Sequence, residues 1–369
     1  VTWLELFFDL VFVVVISELV HILSLDAQGI GNYLFLFIPA WWIWIGASYY
    51  NDRFESEGLD HRLFTFFLML PVAGLAVFAH HVSQDNSIGY VLSYTIARCL
   101  IVFLWLRASI HEKRFRPVGS ILIGGYSFSI GCFILSLWID PAYRSLLWVV
   151  ALICDLITPL FTLNRQKLLP HFNFSKLPER LGLFMLIVIG ETLVAVIRGI
   201  ARHHHFNFRI VSEGIVAIAI SFGIWWLYFD TIAERSPKRQ HKMFFLWSYL
   251  HLILAMAVGA VGASLLSILT ARHHIPADNA RYVMTGALGV ALSAMALIEI
   301  VLEPKEGINL KMSLGTKFGV TGLLLAIGAV GHAYHAFHLL LLIFLVMITP
   351  ILMPLASKIG VKIRTHQNR

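Results

Sequence analysis

Residues Val1–Leu23 read VTWLELFFDLVFVVVISELVHIL. The stretch is long and apolar enough to cross a bilayer, yet it carries Glu5, Asp9 and Glu18, with His21 near its far end. Each carboxylate at membrane depth costs roughly 2.5–3.5 kcal/mol on insertion scales. Three of them in one span are hard to explain by packing alone. A second stretch is built in the same way: Pro178–Ile200, PERLGLFMLIVIGETLVAVIRGI, has Glu191 in its apolar interior. We read these two helices as the heads of two similar halves and as the carriers of the chemistry.

Working outward, the 369 residues are 58% hydrophobic and only 13% charged, with a mean hydropathy of +0.78. A soluble domain carries about a quarter charged residues. Apolar runs recur from end to end at about residues 3–23, 31–50, 62–81, 89–107, 119–138, 145–163, 181–200, 210–230, 243–269, 280–302, 316–334 and 337–357. The fold class is therefore an all-α polytopic membrane protein of about twelve transmembrane helices. A β-barrel would show short alternating strands instead. A basic leader region is missing, and Glu5 and Asp9 interrupt the place of a cleavable apolar segment. Cys99, Cys132 and Cys154 lie in apolar segments without metal-like spacing, so neither a disulfide framework nor a metal site is expected.

The formal charge of +7 has a topological explanation and does not call for a nucleic-acid partner. Of the 28 Lys and Arg residues, six (Arg144, Arg198, Arg202, Arg209, Arg272, Arg281) fall between an odd span and the next, and Arg98 lies inside a span. The other 21 follow even spans. The positive-inside rule then places both termini in the cytoplasm and the chain in the cell inner membrane, with an even number of spans.

The expected domains are a first six-helix half (1–164), a cytoplasmic linker (165–179) and a second half (180–369). Trp41-Trp42 with Trp44 matches Trp225-Trp226 with Tyr228. Asp52-Arg53 matches Glu234-Arg235, and His61-Arg62-Leu63-Phe64 matches His241-Lys242-Met243-Phe244. Six spans per half give both halves one orientation, so the expected arrangement is two parallel six-helix repeats. The competing reading is that Trp and Phe gather at any membrane interface.

In the opening helix, Glu5 and Asp9 are four apart and share a face. Asp9 and Glu18 are nine apart, which at about 100° per residue puts them on opposite faces. Such a helix is expected to be enclosed on both sides. Glu5 reads as a cytoplasmic interface residue, while Asp9 and Glu18 read as members of an ion-binding or proton-relay path or of a charged network. Glu191 belongs with them. The other deep groups are Arg98, Asp155 and His251, with Glu5 and Arg198 as secondary candidates. Which of these groups pair is left open by the sequence. Glu299 and Glu303, like Asp230 and Glu234, read as interface residues. Histidines crowd the outward ends (His21, His80, His81, His203–His205, His273, His274, His332, His335, His338). They read either as a metal or pH-sensing site or as stand-ins for Lys and Arg. Without neighbouring carboxylates or an HExxH pattern, the second reading is adopted.

No P-loop, GxSxG elbow or Rossmann glycine fingerprint is present. Transport or conduction of a small ion or solute is favoured over catalysis, with membrane lipids as the remaining partners and no cofactor. A membrane-embedded lipid-modifying enzyme and a non-transporting sensor or assembly factor are the alternatives. Glycines in the GAVG stretch Gly259–Gly262 fit close helix packing.

TWLELFFDLVFVVVISEL at Thr2–Leu19 and PERLGLFMLIVIGETLVAV at Pro178–Val196 resemble the signatures of the low temperature requirement A (LtrA) family of bacterial membrane proteins. WWLYFD at Trp225–Asp230 and LWSYLHLILAMAVG at Leu246–Gly259 also fit. The resemblance implies an integral membrane protein of cold or stress adaptation. More weakly, FFDLVFVVVI at Phe7–Ile16 is similar to the FSDGVFAI signature of the transmembrane-175 type of potassium channels. Here Phe8 replaces Ser and Leu10 replaces Gly, and the second half keeps Arg180 and Phe184 without an Asp.

Overall fold

The computed structural model describes residues 2–25, 29–54, 58–82, 86–170, 176–203, 207–233, 235–271, 276–305 and 309–353. Among these, twelve helices are long and apolar enough to cross a membrane. They are built on α1 (Trp3–Leu25), α2 (Ile30–Arg53), α3 (Leu59–Val82), α4 (Ile88–His111), α5 (Arg116–Leu135), α6 (Pro141–Ile157), α7 (Lys176–Ala201), α8 (Phe208–Thr231), α9 (His241–Leu269), α10 (Asp278–Val301), α11 (Leu310–Val330) and α12 (Ala336–Met347), with adjoining turns that extend the spans of α5, α6, α11 and α12 to Lys113–Trp138, Tyr143–Leu168, Leu310–Ala333 and Ala336–Met353. The described residues form no strand; Pro237 and Leu302 make an isolated antiparallel bridge. The described residues are thus all-helical, with twelve helices of membrane-spanning length, as the apolar runs require.

Several ends depart from expectation. α6 passes at Thr158 into a 3-10 helix that runs to Leu168. Pro159, at its second position, has no N–H to give the α-helical ladder. α7 includes residues 176–179, part of the expected linker, and its basic first turn has partners in the same unit (below). Residues 171–175, together with Glu234, His204, His205, His273 and His274, lie outside the described residues.

The chain divides into two compact units, one of Val1–Ile22 and Gly31–Arg180, the other of Leu23–Ile30 and Leu181–Arg369. In the first, α3, α4, α5 and α6 pack in sequence. Small residues set their spacing: a Cβ on Gly125 of α5 would lie 2.1 Å from the Thr158 hydroxyl. In the second, α9 is the central helix. It is buried nearly all round, as a helix apolar on every side must be in a bundle core. α10 packs against both α9 and α11, and α8 against α12. One of the GAVG glycines, Gly262, serves packing. A Cβ on Gly262 would come within 3.3 Å of the Thr192 Cα, so α9 passes the α7 backbone one residue from Glu191.

α1 is not enclosed on both sides. Phe8, Phe12, Val15, Ile16 and Leu19 are buried, but Trp3, Phe7, Leu10 and Val14, one stripe of the same helix, are exposed. That stripe is wholly apolar, so it can face hydrocarbon without cost while both inner-end acids turn inward. The tryptophan pairs on which the repeat rests also differ in their surroundings. Trp41 and Trp42 are buried, whereas Trp225 and Trp226 are about two-fifths exposed.

Gly262→Val should force α9 away from the α7 backbone and cost about 1–3 kcal/mol. The check is thermal unfolding of the purified variant in detergent, where a melting point equal to wild type would contradict the close approach.

Candidate functional site

The acids of α1 meet a matching pair of bases. Glu5 and Asp9 are one helical turn apart, and Lys176 and Arg180 repeat that four-residue spacing on the first turns of α7. Arg180 Nη2 donates to Asp9 Oδ1 at 2.9 Å, and its Nη1 lies 3.5 Å from Glu5 Oε1. Lys176 Nζ lies 3.3 Å from the same Glu5 oxygen. The Thr2 amide donates to Glu5 Oε2 at 2.9 Å. From α2, the Trp44 indole N–H donates to Asp9 Oδ1 at 2.8 Å. Asp9 and Arg180 are each only 1% exposed. One oxygen of Asp9 thus holds two donors, while Oδ2 has no hydrogen-bond partner among the described residues. Two acids facing two bases leave the cluster formally neutral, which keeps such burial tolerable.

A second cluster lies deep in the same unit. Arg98 of α4 donates to Asp155 Oδ1 of α6 at 2.6 Å, with both side chains at most 1% exposed. Asp155 Oδ2 accepts from the Tyr94 hydroxyl and, at 2.8 Å, from Ser129 of α5. The Arg98 guanidinium lies 3.9 Å over the Tyr126 ring, a cation–π contact strengthened by desolvation. Three helices are tied together by one carboxylate.

The second unit has its own pair. Glu299 of α10 takes the Lys317 ammonium of α11 on Oε1, the oxygen that also accepts from Ser313 at 3.1 Å. All of these groups are buried. The interface reading of Glu299 is therefore corrected: α11 supplies a base exactly one turn after Ser313, and the pair is enclosed between the two helices. Asp230 is exposed, as an interface residue is.

The family model for the bacterial low temperature requirement A protein matches residues 1–356. The chain belongs to the LtrA family. A relative in Rhizobium meliloti (strain 1021), named Uncharacterized protein RA0937, is 29% identical over 287 residues, which cover 69% of this chain and 67% of the relative. No solved structure matches.

In this LtrA-family protein, the remaining candidates fall in separate places. Glu18 pairs with His80 of α3 at 2.9 Å, with both side chains 40% exposed. The His21 ring centroid lies 5.9 Å from that of His80. Among the described residues, no group of three or more His, Cys, Asp or Glu side chains is arranged to hold a metal ion. Glu191 is buried in α7, and Arg198, two turns on, is exposed. His251 is fully buried: Nδ1 meets the Trp247 carbonyl at 2.8 Å and Nε2 the Tyr228 hydroxyl at 3.3 Å. Glu5, read as an interface residue, is instead buried in the Asp9 cluster.

Sequence reasoning missed the bases. Arg180, Lys176 and Lys317 look like loop cations that bound an apolar run, yet all three are buried. One signal was available, since Lys176–Arg180 repeats the four-residue spacing of Glu5–Asp9 at the start of the other lead helix. Arg281 was missed too. It is buried, donating from Nε to the Gly328 carbonyl at 2.8 Å and from Nη1 to Asp278 at 2.6 Å.

Asp155→Asn should destabilise the fold by about 3–5 kcal/mol by leaving Arg98 buried and unpaired. The apolar double variant Arg98→Met, Asp155→Leu should recover most of that loss. Unfolding of the single and double variants in detergent measures the difference, and equal losses would mean that the pair is not the unit of stability.

Proposed function

We propose that this LtrA-family protein is an inner-membrane transporter or channel for a small ion or solute, with Asp9 as the group that binds the cation or carries the proton. The observation that carries the reading is the asymmetry of the Asp9 carboxylate. Arg180 and Trp44 both hold Oδ1, and the buried Oδ2 has no hydrogen-bond partner among the described residues. An ionisable group at membrane depth is a functional candidate by default, and an acid with a spare oxygen is the form suited to taking up a proton or a cation.

In this reading Glu18 and Glu191 continue the path. Glu18 suits an entry point because it is part-exposed and pairs with the His80 imidazole. Asp155 has both oxygens occupied and His251 both nitrogens, so we assign these two, with Arg98, to bracing helices. The proposed topology keeps both termini cytoplasmic and treats the halves as parallel six-helix repeats. The even number of membrane-length helices and the distribution of Lys and Arg support it.

A second reading, a non-transporting membrane sensor or assembly factor of cold or stress adaptation, draws on the pairing itself, because Asp9, Asp155 and Glu299 each have a buried cation. Flux separates the two. In proteoliposomes under imposed potassium, sodium or proton gradients, the wild-type protein is expected to dissipate at least one. Asp9→Asn should lower that flux by about tenfold or more while keeping the elution profile of a folded protein. Flux unchanged in Asp9→Asn, or no flux of any of these ions in wild type, goes against the transport reading.

A further inference from the structure

A cavity of about 180 Å³ opens in the first unit, where the first turns of α2 and α6 meet the last residue of α3 and the residue before α4. Its lining is divided by chemistry. Arg144, Ser145, Ser87 and Asn32 supply one guanidinium, two hydroxyls and one amide, and Trp148 and Phe35 are among the apolar residues of the wall. That wall is held in place. The Trp148 indole N–H donates to Ser136 at 2.9 Å, and the ring stacks on Tyr90 at 6.2 Å. Tyr90 in turn donates to the Leu36 carbonyl at 2.8 Å.

Arg144 is positioned for use. Its Nε donates to the Ile139 carbonyl at 3.2 Å, which fixes the guanidinium at the mouth of α6. Its Nη1 reaches the Ser87 hydroxyl at 3.4 Å, beyond the usual N–H···O range. An anionic oxygen would form a shorter, charge-assisted bond there. Arg144 is also the sole Lys or Arg in the sequence that joins α3 to α4 and α5 to α6 at that end, residues 82–88 and 139–144.

Depth matches the division of the lining. Leu36 lies six residues into α2 and Trp148 seven into α6, so the cavity reaches about 9–10 Å from the helix ends. An interfacial ligand buries its apolar part about 5–10 Å into the boundary between head groups and acyl chains. We propose that this cavity binds a phosphate-bearing anion, with Arg144 and Ser87 on the phosphate and the Trp148–Phe35 wall against apolar carbons. A phospholipid head group and a free phosphate compound share the chemistry. The site is independent of the Asp9 cluster and of the transport reading.

The test measures binding of two probes to the full-length protein in detergent: a short-chain phosphatidylglycerol and inorganic phosphate. Arg144→Gln removes the anchor. Val82→Phe keeps Arg144 and its carbonyl bond but fills the cavity from the end of α3. Saturable lipid binding that weakens about tenfold in both variants, without competition from phosphate, identifies a lipid head-group site. If phosphate also binds and competes, the same variants weakening both, the site takes free anions as well. The proposal is overturned if neither probe binds saturably, or if either variant binds as wild type does.

Discussion

Asp9, Asp155 and Glu299 are each matched by a base from another helix, and the packing of each unit has to satisfy that requirement. An ion transferred from water to a low-dielectric interior carries a penalty of several kcal/mol even after relaxation. A lone Asp9 or Asp155 in an apolar bundle would neutralise itself or unfold its surroundings. Pairing removes most of the net charge and leaves dipoles that hydrogen bonds can complete. Arg180 does this for Asp9, Arg98 for Asp155 and Lys317 for Glu299. Each pair joins two helices that no hydrophobic force distinguishes from lipid, because chain and bilayer interior are alike apolar.

The pairs differ in how far they are completed, and the proposed function rests on this difference. Asp155 uses both oxygens, taking Arg98 on one and Tyr94 with Ser129 on the other. A group so fully bonded gains nothing from binding anything more. Asp9 concentrates Trp44 and Arg180 on a single oxygen, and its other oxygen lies buried. A buried acceptor without a donor is costly, which is why the proposed function assigns the proton or cation to this oxygen. The Glu5–Lys176 contact beside it keeps the local charge balanced.

Helix packing shapes these positions as much as charge does. Gly262 lets α9 run against the α7 backbone beside Glu191, and Gly125 does the same for α5 against Thr158. The exposed apolar stripe of α1 shows how an amphipathic division can serve a membrane helix. Trp3, Phe7, Leu10 and Val14 face outward while Glu5 and Asp9 face in. Glu18, on another face, finds His80 nearer the helix end, where part-exposure lowers the cost of the charge.

Much of the fold was legible in the sequence, because bilayer thickness imposes one length and one composition on every span. Twelve apolar runs became twelve helices, and the signatures in the two lead helices pointed to the family. The acids were also legible, since a carboxylate in an apolar run stands out against its neighbours. Their bases were not. Lys176, Arg180 and Lys317 sit where an apolar run ends, and from sequence a cation at such a place reads as solvated. Only the folded chain shows that the first turns of α7 bring Arg180 onto Asp9, or that α11 carries Lys317 against Glu299. Sequence determined which residues carry charge into the apolar spans; tertiary structure decided which charges meet, because pairing depends on the rotation and depth of helices that lie 171 residues apart along the chain in the case of Asp9 and Arg180.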